Sequence, residues 1–164
     1  MDFSRQINRR LHEEHDATLR LCASLEQTLG ARPWPPDRAN TEVALVLRSA
    51  VAALADEVAR HFTFEETELF PRLAEAGEGE LAELLAEEHA VIRGIARRLS
   101  ELHDALRTQT IDAHGWQQLR MHGLELAQRL ASHAQMEEMS LLPSVENLLD
   151  EDSDRELFSA YVLD

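Results

Sequence analysis

The chain has 164 residues, of which 44% are apolar and only 5% aromatic; it can bury a core without staples and is too apolar for a disordered segment. Sixteen basic residues against 31 acidic ones give a formal charge of −15, which argues against nucleic acid as a partner. A single cysteine, Cys22, excludes an internal disulfide framework; with no apolar stretch suited to a signal peptide or membrane span, the expectation is a cytoplasmic protein.

Ala, Leu, Glu and Arg dominate, the vocabulary of helices, so the expected fold class is all-α. The first helix is predicted near 3–29, with Ile7, Leu11, His15, Leu19 and Cys22 along one stripe. A break follows from Gly30 to Asn40, containing Pro33, Trp34, Pro35 and Pro36, and carries no readable chemistry. The second helix spans about 41–75, its stripe running through Leu47, Val51, Leu54, Val58, His61, Glu65 and Leu69. Beyond the Gly77-Glu78-Gly79 break, a third helix near 80–107 carries Leu85, His89, Ile92, Ala96 and Leu99.

A break near Thr108 to Asp112 precedes the fourth helix, about 113–149, with Leu119, Leu126, Leu130, His133, Glu137 and Leu141. Ser153-Asp154-Arg155-Glu156 reads as a capping box ahead of Leu157, Phe158, Tyr161 and Val162. It predicts a short fifth helix near 153–163 covering one end of the bundle. Residues 1–164 are read as one domain.

Two strings repeat. His61-Phe-Thr-Phe-Glu65-Glu66-Thr-Glu-Leu69-Phe-Pro71 recurs 72 residues later as His133-Ala-Gln-Met-Glu137-Glu138-Met-Ser-Leu141-Leu-Pro143. Leu11-His12-Glu13-Glu14-His15 recurs as Leu85-Ala86-Glu87-Glu88-His89, at an offset of 74. The near-equal offsets indicate a duplicated pair of helices, each half giving one lone His and one His/Glu pair. Residues four apart stack on one helix face, so each pair aims an imidazole and a carboxylate in the same direction.

These polar groups occupy positions where the apolar stripe calls for Leu. A buried carboxylate costs several kcal/mol unless paired or bound to a cation, and a metal cluster removes that liability. The candidate ligands are therefore His15, His61, Glu65, His89, His133 and Glu137. Glu66 and Glu138 lie five residues from His, about 140° around an ideal helix against about 40° for i+4, and are expected to be solvated. The two prolines, Pro71 and Pro143, are expected to kink or end their helices.

The other histidines fall away from the cluster. His122 lies roughly 16 Å along the axis from His133, and His103 about 21 Å beyond His89. His114 falls at a helix start and is expected to be solvated. His12, one turn before His15, reads as a surface residue within reach of the ligands' surroundings, and Cys22 as a small apolar filler.

Imidazole with carboxylate suits iron, manganese or zinc, and the lack of a thiolate cluster argues against an iron–sulfur centre. Two shared carboxylates with two His on each side describe a dinuclear site. On His15, His61-x-x-x-Glu65, His89 and His133-x-x-x-Glu137, about residues 5–147, the chain resembles the hemerythrin-like family, the HHE cation-binding domain. The resemblance implies an up-down-up-down four-helix bundle around two iron ions, a non-haem centre that is oxo- or hydroxo-bridged when oxidised. By the same resemblance, Glu65 and Glu137 would bridge, His15 and His61 would bind one iron, and His89 and His133 the other.

Oxygen-carrying members have a fifth His one turn after the third-helix His, and this chain has Arg93 at that spacing. It is closer to the four-His, two-Glu members, similar to iron–sulfur-cluster repair proteins and iron-sensing domains, although the repair proteins also have a cysteine-bearing amino-terminal domain, for which 164 residues are expected to leave no room. The expected function is binding, sensing or detoxification of oxygen, nitric oxide or peroxide. Alternatives are a di-iron enzyme reducing nitric oxide or peroxide or oxidising ferrous iron, and an iron-responsive module read by a protein partner.

Overall fold

The computed structural model describes residues 3–31, 41–108 and 112–163, with the backbone alone at 41–44, 54–58 and 106–108. The Pro-rich break around Trp34, the centre of the third break and the side chains of Leu54 and Val58 lie outside the described residues. Five helices account for nearly all the rest: α1 (Gln6–Gly30), α2 (41–75), α3 (Gly79–Thr108), α4 (113–148) and α5 (Glu151–Leu163). Among the described residues there is no strand, and no helix is long and apolar enough to cross a membrane.

Side-chain pairings fix the topology. Asn8 and His15 of α1 meet Leu142 and Glu138 of α4; Glu66 meets His89 and Phe62 meets Arg93 between α2 and α3; Glu88 meets His133 and Leu99 lies beside Gly123 between α3 and α4. As numbers rise on one helix they fall on its neighbour, so the four long helices run up-down-up-down. At Gly123 of α4 the helices come close, and a Cβ there would lie 2.4 Å from Leu29 Cδ1 of α1. Gly77, at φ 92°, makes the left-handed turn that ends α2, with the Gly77 and Glu78 N–H groups donating to Ala74 and Leu73 carbonyls.

The apolar stripes meet in two buried clusters. One is built from Phe3, Ile7, Leu11, Leu69, Leu73, Leu85, Leu141 and Val145; the other from Cys22, Leu25, Leu29, Phe62, Ile92, Leu99, Trp116, Leu126 and Leu130. On each long helix the expected ligand residues fall between the two clusters, so a polar layer is sealed above and below by packed hydrocarbon. Cys22 is a buried member of the second cluster, as a filler should be.

The helices are less regular than an ideal 3.6-residue repeat. Wide π-helical turns interrupt α2 at Glu57–His61 and Glu65–Leu69, and α4 at Glu137–Leu141. Phe70 and Leu142 accordingly donate to carbonyls five residues back, Glu65 and Glu137. Pro71 and Pro143 follow at once, and neither ends its helix: α2 continues to Glu75 and α4 to Leu148. Each ring sits where the ladder returns from five-residue to four-residue spacing, so its missing N–H falls at a step already broken.

The start of α5 also differs from expectation. Its cap is Asp150, whose Oδ1 accepts from Ser153 N–H at 2.8 Å, and the helix begins at Glu151. Asp154, free of a local capping role, accepts from the Gln6 and Ile7 N–H groups at 2.9 and 3.0 Å. It therefore caps α1 from the far end of the chain, while Glu146 accepts from Ser4 and Arg5. Replacing Asp154 by Ala strands two helix-terminal donors; we expect a loss of about 0.5–2 kcal/mol in urea unfolding, with helix content unchanged at low denaturant.

Candidate metal centre

Each ligand pair is set by local helix geometry. His61 and Glu65 are separated by one α-turn, Phe62–Phe64, and His133 reaches Glu137 through the α-helical end of its segment, so both pairs keep the i+4 alignment. The structure brings all six expected residues into one layer, none more than 3% exposed. Two groups of possible ligands form: His15, His61, Glu65 and Glu137, and Glu65, His89, His133 and Glu137.

The two carboxylates are common to both groups, each with an oxygen toward either side. Glu65 Oε1 lies 3.0 Å from His61 Nε2 and its Oε2 lies 3.4 Å from His89 Nε2. Glu137 Oε2 lies 3.1 Å from His15 Nε2, and its Oε1 lies 3.0 Å from His133 Nε2. The two Nε2 atoms within each pair are 3.3 Å apart for His15 and His61 and 2.9 Å apart for His89 and His133.

What orients the rings is a second set of carboxylates. His15 Nδ1 lies 2.8 Å from Glu138, His61 Nδ1 2.9 Å from Glu14, His89 Nδ1 2.8 Å from Glu66 and His133 Nδ1 2.9 Å from Glu88. An ionised carboxylate only accepts, so each Nδ1 carries the proton and donates. In a neutral ring, Nε2 is then a bare acceptor, facing another bare nitrogen and carboxylate oxygens. Both Glu65 oxygens and Glu137 Oε1 are buried without a hydrogen-bond donor. Acceptors converging on acceptors in a dry layer need cations, either protons on the rings or metal ions.

In the absence of metal, protons take that role. Burial disfavours charge on His15, but its hydrogen bonds to the Glu137 and Glu138 carboxylates outweigh it and raise its pKa to about 9. Burial is likewise outweighed at His89, raised to about 9 by Glu137 and Glu65, and His133 moves in the same direction. Glu137 is held well below the usual carboxylate range: burial pushes it up, and the charge and hydrogen bonds of His133, with those of His15 and His89, prevail. Glu14 falls to about 2 because hydrogen bonds from His61, Tyr161 and Arg60 outweigh burial.

Glu66 and Glu138 are thus not simply solvated. Each is partly exposed, at 30% and 22% of the side chain, yet holds an imidazole of the layer. Pointing away from the His of their own helix, they face the next one, where Glu66 meets His89 and Glu138 meets His15. Glu14 and Glu88 stand directly before ligand candidates in the repeated Glu-Glu-His, but the sequence gives them no role in the layer. His12 does reach the surroundings of the ligands: its Nδ1 lies 2.9 Å from Glu138, the carboxylate that also holds His15. Arg93, at the position where carriers have His, makes two bonds to Glu66 at 2.6 and 3.0 Å. His103, His114 and His122 are in neither ligand group, and His114 is exposed.

Phe62 stacks on His89 with ring centroids 3.7 Å apart, and Phe70 lies 5.5 Å from the same ring. From α5, the buried Tyr161 donates to Glu14 at 2.5 Å under the Arg60 guanidinium. Ligand candidates, their carboxylate partners and the groups that hold those partners form one connected network.

An up-down-up-down bundle with a sealed layer of four imidazoles and two shared carboxylates defines a cation-binding helical protein. The chain belongs to the hemerythrin family, matching the hemerythrin HHE cation binding domain model over residues 6–145. No curated protein matches it.

The raised imidazole pKa values predict how metal-free protein responds to pH. Stability linked to the His15 and His89 protons is complete below the ordinary value of 6.5 and lost as pH rises through about 9. Stability linked to Glu14 is present above 4.5 and lost as pH falls toward 2. Urea midpoints of chelator-treated protein should therefore decline from pH 6.5 to 9.5, and equal midpoints across that window would contradict the proton-filled layer.

Proposed function

We propose that the buried layer holds two iron ions, His15 and His61 binding one, His89 and His133 the other, and Glu65 and Glu137 bridging both. The observation that carries this reading is the division of each shared carboxylate, one oxygen toward each imidazole pair. Hard carboxylate oxygens with imidazole nitrogen and no thiolate in either group suit iron, with manganese and zinc as competitors. The proposed setting is a reducing cytoplasm, and the proposed ligand oxygen, nitric oxide or peroxide. A bound pair of ferrous ions would supply electrons and open positions for such a ligand.

The chain's own residues do the rest. Glu14, Glu66, Glu88 and Glu138 fix the rings with Nε2 inward and make the imidazoles better donors. The two apolar clusters exclude water and hold the centre rigid. Arg93 ties Glu66 in place instead of offering a fifth imidazole, so four His and two Glu leave donor positions unfilled on both sides of the pair. That favours reaction over reversible carriage. Turnover of nitric oxide or peroxide as an enzyme is the alternative reading, distinguished by steady-state consumption with a reductant.

Three outcomes follow. Anaerobic loading with ferrous iron should give two ions per chain by elemental analysis, and His61→Ala or His133→Ala should lower that number sharply. One tightly held zinc per chain, indifferent to both changes, would overturn the assignment. Glu65→Ala and Glu137→Ala should abolish paired loading, whereas Glu66→Ala and Glu138→Ala should keep two sites with affinity weakened by about 10- to 100-fold; competition with a chelator separates the two classes. Ferrous protein exposed to oxygen should end ferric and stay so under argon, and recovery of the colourless form on purging would identify a carrier.

A further inference from the structure

Outside the metal layer, α1, α2 and α5 enclose a cleft of about 430 Å³ lined by Gln6, Arg9, Arg10, Glu13, Arg60, Phe158 and Val162. Its volume lies within the usual range for organic-ligand sites. Its charge is opposite to that of the protein: three guanidinium groups and one carboxylate line it, on a chain with a formal charge of −15. The apolar side is supplied by α5, through Phe158 and Val162, and Val162 is 56% exposed although it lines a cavity.

The arginines keep capacity for a ligand. A guanidinium has five N–H donors. The hydrogen bonds of Arg9 use Nη1 alone, to the Phe3 and Ser4 carbonyls. Arg10 reaches Glu14 at 2.8 Å and Glu13 only at 3.9 Å. We propose that this cleft binds a small organic anion, a carboxylate on an apolar body, with Arg9 and Arg10 taking the charge and Phe158 and Val162 covering the hydrocarbon.

The cleft is also wired to the centre. Arg10 and Arg60 each lie 2.8 Å from Glu14 Oε1, whose other oxygen holds His61 Nδ1. An anion that draws Arg10 toward itself leaves Glu14 less neutralised, and His61 becomes a stronger donor. Anion binding and metal affinity are therefore coupled, and the coupling is reciprocal. The coupling rests on the proposed metal assignment; anion binding does not.

Calorimetric titration of the full chain, metal-free and metal-loaded, with benzoate, benzamidine and inorganic phosphate provides the test. Benzoate should bind at one site per chain, benzamidine should not, and phosphate should bind at least tenfold more weakly. Val162→Asp changes an exposed residue with no part in the metal layer; it and Arg10→Gln should each weaken benzoate at least tenfold, and Val162→Asp should leave metal content unchanged. Benzoate and benzamidine binding equally, or benzoate binding unmoved by both variants, would overturn the proposal. Benzoate bound with fewer than two metals per chain would uphold the cleft and remove the di-iron reading instead. Equal benzoate affinity with and without bound metal would uphold the site and overturn the coupling.

Discussion

The structure depends on four hydrogen bonds between imidazole Nδ1 and carboxylate. Each fixes a tautomer, and with it the direction of a bare Nε2. Remove the carboxylates and the rings could rotate, protonate at the other nitrogen or pair with one another. With them in place, four rings present Nε2 to one small volume. The centre is therefore specified from outside inward, by groups that are themselves partly in water and inexpensive to ionise. That division of labour lets Glu65 and Glu137 stay fully buried.

The pairing follows a closed circuit around the bundle. Glu14 of α1 holds His61 of α2, Glu66 of α2 holds His89 of α3, Glu88 of α3 holds His133 of α4, and Glu138 of α4 holds His15 of α1. Every helix gives one ring and one orienting carboxylate, so no helix can shift along its axis without disturbing two neighbours. The circuit is symmetric; its surroundings are not. Arg93 backs Glu66, His12 backs Glu138, and Glu14 is met by Arg10, Arg60 and Tyr161.

Much of this was legible in the sequence because the duplication wrote it twice. Apolar stripes interrupted at matching positions gave the helices and six residues of the layer. What the sequence does not show is which side chains reach across to other helices. Glu66 and Glu138 point away from the His of their own helix, which suggests solvent, but that direction carries them to His89 and His15 of the neighbouring helices. The prolines are expected to kink or end their helices because their cost in an intact ladder is large; the helices run on because the ladder is already opened by a π-turn just before each ring. Glu14 and Glu88 were visible as part of a repeat, but nothing local in a Glu-Glu-His string says that the second acid reaches across to another helix. Asp154 was assigned to its own helix because capping boxes are read within a segment, whereas its acceptors serve α1.

The wide turns also date the halves of the chain. Those at Glu65–Leu69 and Glu137–Leu141 begin at the same residue of each copy, 72 positions apart, whereas the turn at Glu57–His61 lies in α2 and its equivalent in α4 is ordinary α-helix. A π-turn is what a helix adopts when it holds one residue too many for the contacts on either side of it. If the halves arose by copying, the shared turns were inherited from the single ancestral hairpin, and the unshared one was acquired by the first copy or lost by the second. The ancestor, with one lone His and one His/Glu pair, had half a ligand set. It could have closed the circuit only by meeting a second copy of itself across a twofold axis, so the bundle formed by one chain retains the symmetry of a dimer.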